Sequence, residues 1–293
     1  MTRRRFGSDQ AGARPVTAGL ALVLASVLMN GAPRTATAQV PLAPLSTSGR
    51  SVTPVFEGWY ANPDGTFSIS FGYFNRNAEE IVEIPIGSSN LIEPGDNNQG
   101  QPTRFHARRH WGVFAVRVPA DFGDRKVTWT LRLRGETYAI SGSLSRDWQI
   151  DALEGEAGSD NTPPAIKFEA TGAEGRGPGG ITSGPLAASV GRPLDVSLWV
   201  TDDGHSAAIT TGAARAGAPV TLAWFKHQGP GDVTFNPAAA RLTATGGTSR
   251  TSAVFSKPGD YVLRVRANDS AVAGAGHAQC CWTNGFVKVR VTP

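Results

Sequence analysis

The most constraining feature of this chain is a strict two-residue alternation of apolar side chains. Thr66-Phe67-Ser68-Ile69-Ser70-Phe71-Gly72-Tyr73 puts Phe67, Ile69, Phe71 and Tyr73 on one face of an extended backbone. Val127 to Arg134 repeats the pattern with Val127, Trp129, Leu131 and Leu133 inward. A strand over Thr137–Leu144 follows, after a turn at Arg134-Gly135-Glu136. Further strands are expected over Glu80–Ile86 and Gly112–Val118, with a long polar loop from Gly87 to Thr103 between them. No segment carries a helical stripe. The chain is therefore expected to be all-β, built from two β-sandwich domains.

The first residues have a different character. Arg3, Arg4 and Arg5 precede an uncharged apolar run from Ala18 to Met29, and Ala36-Thr37-Ala38 offers small residues before Gln39. That order is the layout of a cleaved export signal over residues 1–38. The run is short for a membrane helix, so no stable anchor is expected after cleavage. The absence of a Cys after it argues against a lipoprotein. Thr2-Arg3-Arg4-Arg5-Phe6 resembles a twin-arginine motif, which leaves folded and unfolded export both open. The expected destination is the periplasm or the exterior.

Cleavage also removes the basic balance. The precursor has a formal net charge of +4, but residues 1–38 hold five Arg and one Asp. Without them acidic and basic side chains are equal in number, so charge gives no reason to expect a nucleic-acid partner.

Residues 39–51 are a Pro/Ser/Thr linker and 52–150 a first sandwich. The acidic, glycine-rich stretch 151–164, ending in Pro163-Pro164, has the composition of a hinge. Beyond it, 165–293 supplies seven strands between turns, the count of an immunoglobulin-type sandwich. Thr171–Ala187 is glycine-rich and is expected to be mobile.

Within this second half, Val220–Lys226 carries Trp224, Gly229-Pro230-Gly231-Asp232-Val233-Thr234-Phe235 follows, and Phe255-Ser256-Lys257-Pro258-Gly259-Asp260-Tyr261 leads to Ala267-Asn268-Asp269. These stretches resemble a bacterial PKD-type immunoglobulin-like domain. The resemblance implies a core Trp224, a tyrosine corner at Tyr261, and a spacer or adhesive role. The first half resembles no family.

Three groups of residues could carry chemistry. The enlarged loops Asp202–Ala218 and Asn268–Asn284 would emerge at one end of the second sandwich, bringing Asp202, Asp203 and Asp269 near His205, His277 and the Cys pair. Carboxylates there would suit calcium and His with thiolate a softer metal, although turn chemistry explains the same residues. No other cofactor is expected. Cys280 and Cys281 are the only cysteines; a vicinal disulfide, a link between chains, metal ligation and two free thiols are the choices. In the first half, Arg104, Arg108, Arg109 and Trp111 offer fork donors and a stacking face for an anion or sugar. A salt-bridged edge opposite Glu79, Glu80 and Glu83 explains them equally. His106 and His110 lie in an extended stretch, where four residues span ~13 Å, too far to share a metal.

No nucleophile elbow, Ser-x-x-Lys, phosphate loop or dinucleotide fingerprint occurs. The expected function is therefore non-enzymatic binding, adhesion or assembly, with a cell-surface protein or carbohydrate as partner. The alternatives are a small exported enzyme or carbohydrate-binding accessory protein with its site on the first half, and a calcium- or metal-dependent binding module.

Overall fold

A computed structural model describes residues 46–155, 161–205, 219–269 and 280–293. The expected signal segment and His277 lie outside them. The described residues are almost entirely β, with no α-helix among them and none long and apolar enough to cross a membrane.

Two three-stranded antiparallel sheets form the first sandwich. One is ordered β1 (Val52–Ala61), β2 (Phe67–Asn75), β6 (Arg108–Val118); the other is β4 (Asn90–Glu93), β7 (Val127–Leu133), β8 (Glu136–Gly142). A short ladder of β3 (Val82–Glu83) and β5 (Arg104–Phe105) closes one side. Alternation aims Ile69 and Phe71 at Phe114, Trp129 and Leu131, all buried. The Phe71 and Phe114 rings stack at 5.6 Å, and Trp129 meets Phe114 edge-on at 5.1 Å. β7 and β8 join through a two-residue turn, since Leu133 pairs with Glu136. Arg134 and Gly135 both take positive φ, 54° and 80°, as the turn that matches strand twist demands.

The polar loop 87–103 is more ordered than its composition suggests. It contains β4, because Asn90 is a buried connector. Its amide donates to the carbonyls of Ile84 (2.9 Å) and Pro102 (2.8 Å) and accepts from Trp129 Nε1 at 2.9 Å. The expected strand over 80–86 shrinks to β3.

The second sandwich packs a sheet ordered β10 (Ile181–Ser189), β17 (Trp282–Thr292), β16 (Gly259–Asn268), β12 (Thr221–Gln228), β14 (Ala239–Arg241) on one ordered β13 (Val233–Asn236), β15 (Gly246–Phe255), β11 (Leu194–Thr201), β9 (Ala165–Lys167). The β10–β17 pairing is parallel and the others are antiparallel. That is the strand order of an immunoglobulin-like sandwich. Trp224 lies in its core, and Tyr261 donates its hydroxyl to the Lys257 carbonyl at 2.8 Å, a tyrosine corner.

The expected mobility of 171–187 is not what the structure shows. β10 occupies its second half, and its glycines serve close approach. A Cβ on Gly180 would collide with the Asn284 carbonyl. Gly177 N donates to Thr283 Oγ1 (2.9 Å) and Gly179 N to Tyr60 Oη (2.8 Å).

These bonds belong to a junction that buries the outer face of β16 and β17 against β6. Opposite Gly72 the ladder of β2 and β6 slips, so that Phe71 pairs with Phe114 but Tyr73 with His110. At this bulge the Gly112 carbonyl receives Asn284 Nδ2 at 2.8 Å and Trp282 Nε1 at 3.2 Å. Asn284 Nδ2 also reaches the Pro178 carbonyl at 2.8 Å. Nearby, His227 Nε2 bonds the Gly100 carbonyl at 2.7 Å, and Thr103 N donates to the His227 carbonyl at 2.8 Å. Lys226 and Arg104 both pair with Glu83. Phe286 and Val262, from the second sandwich, complete the apolar core of the first. Ala152 and Asn161, within the acidic stretch 151–164, are buried.

Two predictions follow from the junction's polarity. Asn284→Leu leaves the Pro178 carbonyl without its donor and the Gly112 carbonyl with Trp282 alone, and is expected to cost about 1–3 kcal/mol, read by denaturant unfolding. The second concerns its imidazoles. Burial, followed by the field of nearby cations, lowers His106 to about 4 and His110 and His227 to about 3. Unfolded, they titrate near 6.5. Between about pH 3 and 6.5 the unfolded chain holds more protons, so stability must fall as pH drops through that window. Denaturant unfolding at pH 7 and pH 4.5 checks this, and an unchanged midpoint would contradict it.

Candidate functional site

The junction covers only part of the outer face of β16 and β17. Where cover stops, a cleft of about 660 Å³ opens between the two sandwiches. Strand alternation builds its floor, because Val262 and Phe286 point outward while Leu263 and Val287 point into the second core. Phe114 of β6 joins that floor. One wall is Asn98 and Gln228, bonded amide to amide at 3.0 Å. The rim carries Asp260, held by Arg290 at 2.9 Å, and Lys288, which has no ion-pair partner among the described residues.

The aromatic side chains that line the cleft, Phe114, Tyr261 and Phe286, are all buried. Among the described residues, Asp260 is the carboxylate that lines the cleft.

The residues marked from sequence are placed elsewhere. Arg104 sits on β5, tied to Glu83 at 2.7 Å and Asp232 at 3.1 Å. Arg109 on β6 donates from Nη2 to both Glu57 oxygens, at 2.7 and 2.8 Å, while its guanidinium lies 3.7 Å from the Trp111 ring. Arg108 points outward over Phe74 at 5.5 Å. Arg109 and Trp111 thus meet each other, and Arg104 and Arg108 do not converge with them. The His106–His110 spacing is a correction. Their ring centroids are 5.9 Å apart, not a strand's span, because Arg108 at φ 74° folds the chain back between them.

At the far end of the second sandwich, Asp202 and Asp269 come together, whereas Asp203 turns away. Asp203 Oδ2 accepts from Thr162 N and Oγ1, both at 2.7 Å, and Oδ1 from His205 N at 2.8 Å. Among the described residues, no three His, Cys, Asp or Glu side chains gather as a metal site. Cys280 and Cys281 are joined as a vicinal disulfide, buried beside the Asn161 carbonyl. Asp269 is 1% exposed and neither of its oxygens has a hydrogen-bond donor. Burial and then the Asp202 carboxylate push it up to about 9, so its carboxyl keeps a proton at neutral pH.

Sequence reasoning missed the cleft and the junction. The signal was present in β17, where Trp282 and Phe286 alternate with Val287, Val289 and Val291 on the opposite face. Apolar residues in both registers mean both faces are covered.

No family model matches the chain, and no curated protein matches it in sequence. Solved structures similar in architecture include the D00–D0 domain of intimin, 13% identical with a TM-score of 0.26 over 83% of this chain and 100% of that one. Domains 4 and 5 of the S-layer protein SbsC are 7% identical, with a TM-score of 0.26 over 71% of this chain and 78% of that one. A titin structure is 11% identical, with a TM-score of 0.22 over 82% of this chain and 99% of that one. Scores this low carry no functional argument. The immunoglobulin-like character of the second sandwich stands on its strand order.

The carboxylate pair gives a test with a definite sign. Folded Asp269 keeps its proton from about pH 4 to 9 while the unfolded carboxyl, near 3.9, has lost it. Its stabilising share is therefore complete below about pH 4 and fades as pH climbs toward 9. Asp269→Asn should melt above the parent at pH 8 in chelator, with the gap closing by about pH 5. Equal melting temperatures at pH 8 would remove that proton from the account.

Proposed function

We propose that this chain is an exported, non-enzymatic binding protein whose cleft takes an extended segment of a cell-surface protein. The observation that carries the reading is the cleft's lining: a floor of Val262, Phe286 and Phe114 under an amide wall, with Lys288 at the rim in no ion pair among the described residues. The floor suits apolar side chains, the amides suit a peptide backbone, and Lys288 suits a carboxylate. Export is inferred from residues 1–38, and the PKD-type reading of the second sandwich from Trp224, Gly229-Pro230-Gly231 and the Tyr261 corner.

A second reading, a calcium-dependent module, draws on Asp202 and Asp269, where a cation in place of that proton would also relieve the facing carboxylates. Calcium would then raise the melting temperature of the parent and not of Asp269→Asn.

The cleft is tested by selecting displayed random peptides on the folded mature chain. Val262→Trp, which fills the floor, is expected to weaken the selected peptides at least about tenfold, near 1.4 kcal/mol. Unchanged affinity would place binding elsewhere.

A further inference from the structure

A second groove, of about 580 Å³, lies between the β3–β5 ladder of the first sandwich and the Gly229–Asp232 turn of the second. It shares no lining residue with the cleft. Among the described residues that line it, Glu83, Arg104, Lys226, Asp232 and Lys257 are charged. Glu83 Oε1 draws two of the cations to one point, receiving Arg104 Nη1 at 2.7 Å and Lys226 Nζ at 2.8 Å. Arg104 Nη1 also reaches Asp232 Oδ1 at 3.1 Å, which ties the turn to the ladder.

The cluster is held from behind by the fold. Lys226 is buried, and its ammonium gives its remaining donors to the Gly231 and Gly229 carbonyls at 3.0 and 3.3 Å. Glycine at both positions lets the turn come this close. A Cβ on Gly229 would enter the Tyr261 ring, and one on Gly231 would strike Ser256 Oγ and Tyr261 Oη. Lys226 is therefore fully engaged, and its part is to position Glu83.

The other four side chains keep capacity to bind. Among the described residues, Nε and Nη2 of Arg104 bond nothing, so one edge of the guanidinium retains two parallel donors. Lys257 forms no ion pair among them, and Oε2 of Glu83 and Oδ2 of Asp232 accept no hydrogen bond from them. Three cations stand against two carboxylates, a surplus of one positive charge.

This combination discriminates between anions. An inorganic oxyanion or a peptide carboxylate would use the donor edge but leave the two carboxylates beside it without donors. An amino-acid zwitterion brings donors, yet its own ammonium leaves the surplus charge unanswered. A sugar acid meets both demands, because its carboxylate matches the donor edge and cancels the surplus while its hydroxyls donate to the carboxylates. We propose that this groove binds a uronic acid residue of an acidic polysaccharide, with Arg104 and Lys257 on its carboxylate and Glu83 and Asp232 on its hydroxyls.

The experiment is a titration of the folded mature chain with sodium glucuronate at fixed pH and ionic strength, followed by amide NMR. The amides of Arg104, Gly229, Gly231 and Asp232 should shift together and saturate with a Kd of about 1 mM. Glucose, which lacks the carboxylate, and acetate, which lacks the hydroxyls, should each bind at least about tenfold more weakly. Arg104→Lys keeps the charge, loses the paired donors and should weaken glucuronate about tenfold. Lys257→Glu makes the surplus negative and should abolish saturation; Lys257 is exposed, so this variant decides even where Arg104→Lys does not fold. Val262→Trp, which fills the cleft, should leave the titration unchanged, so the two sites fail independently. Absence of a saturable shift with glucuronate, or a titration that survives Lys257→Glu, would overturn the site. Acetate, sulfate or glycine binding as tightly as glucuronate would overturn it too, by assigning the groove to a plain oxyanion or a zwitterion.

Discussion

The bulge at Gly112 sets the terms for the rest of the molecule. Where β6 slips against β2, the Gly112 carbonyl leaves the ladder and must find a donor inside the protein. Asn284 and Trp282 supply it from the other sandwich. The bond works only if the backbones approach closely, and small residues make that possible. A side chain on Gly112 would enter the Trp282 ring, and Ser68, Ser70 and Gly72 keep the facing side of β2 low. Two sandwiches held in this way share a largely polar interface, in which Ser70 Oγ, His106 Nε2 and the Nε atoms of Arg264 and Arg266 are buried without a partner. Phe286 is the exception, crossing from the second sheet into the first core.

That arrangement explains what the sequence showed and what it hid. Alternation in 66–73 and 127–134 gave correct strands because one face of each meets a core. The same logic misread 171–187 and 87–103, because glycine and asparagine are turn residues by habit. Here Gly177, Gly179 and Gly180 are spacers that let chains touch, and Asn90 ties three segments through a single amide. Neither role leaves a periodic trace. The His106–His110 distance was unreadable for another reason: one positive φ, at Arg108, shortens a span that extended geometry would make long.

The candidate sites follow the same division. Arg104 and Arg109 stood out as a cluster by their adjacency in sequence, yet adjacency along a chain that switches strands at 106–108 does not survive folding. Arg104 serves the junction, and Arg109 neutralises the buried Glu57. Asp202 and Asp269 were foreseeable because the topology of the second sandwich brings those two strand ends together. Lys288 and Val262 were not, since on β16 and β17 they look like any solvent-facing position.

Partial coverage is the reason the cleft exists. The first sandwich is smaller than the face on which it rests, so the outer rows of β16 and β17 change environment along their length. At one end Asp260, Val262, Lys288 and Arg290 line an open trough. At the other Arg264, Arg266, Trp282 and Asn284 lie under β6. One strand surface thus carries salt-bridged, solvated charge and buried, uncompensated charge a few residues apart. The covered end is costly unless its charge is answered, and that cost makes the placement of the two sandwiches sensitive to protons. The open end inherits that sensitivity, because its walls, Asn98 on one body and Gln228 on the other, meet only while the junction holds.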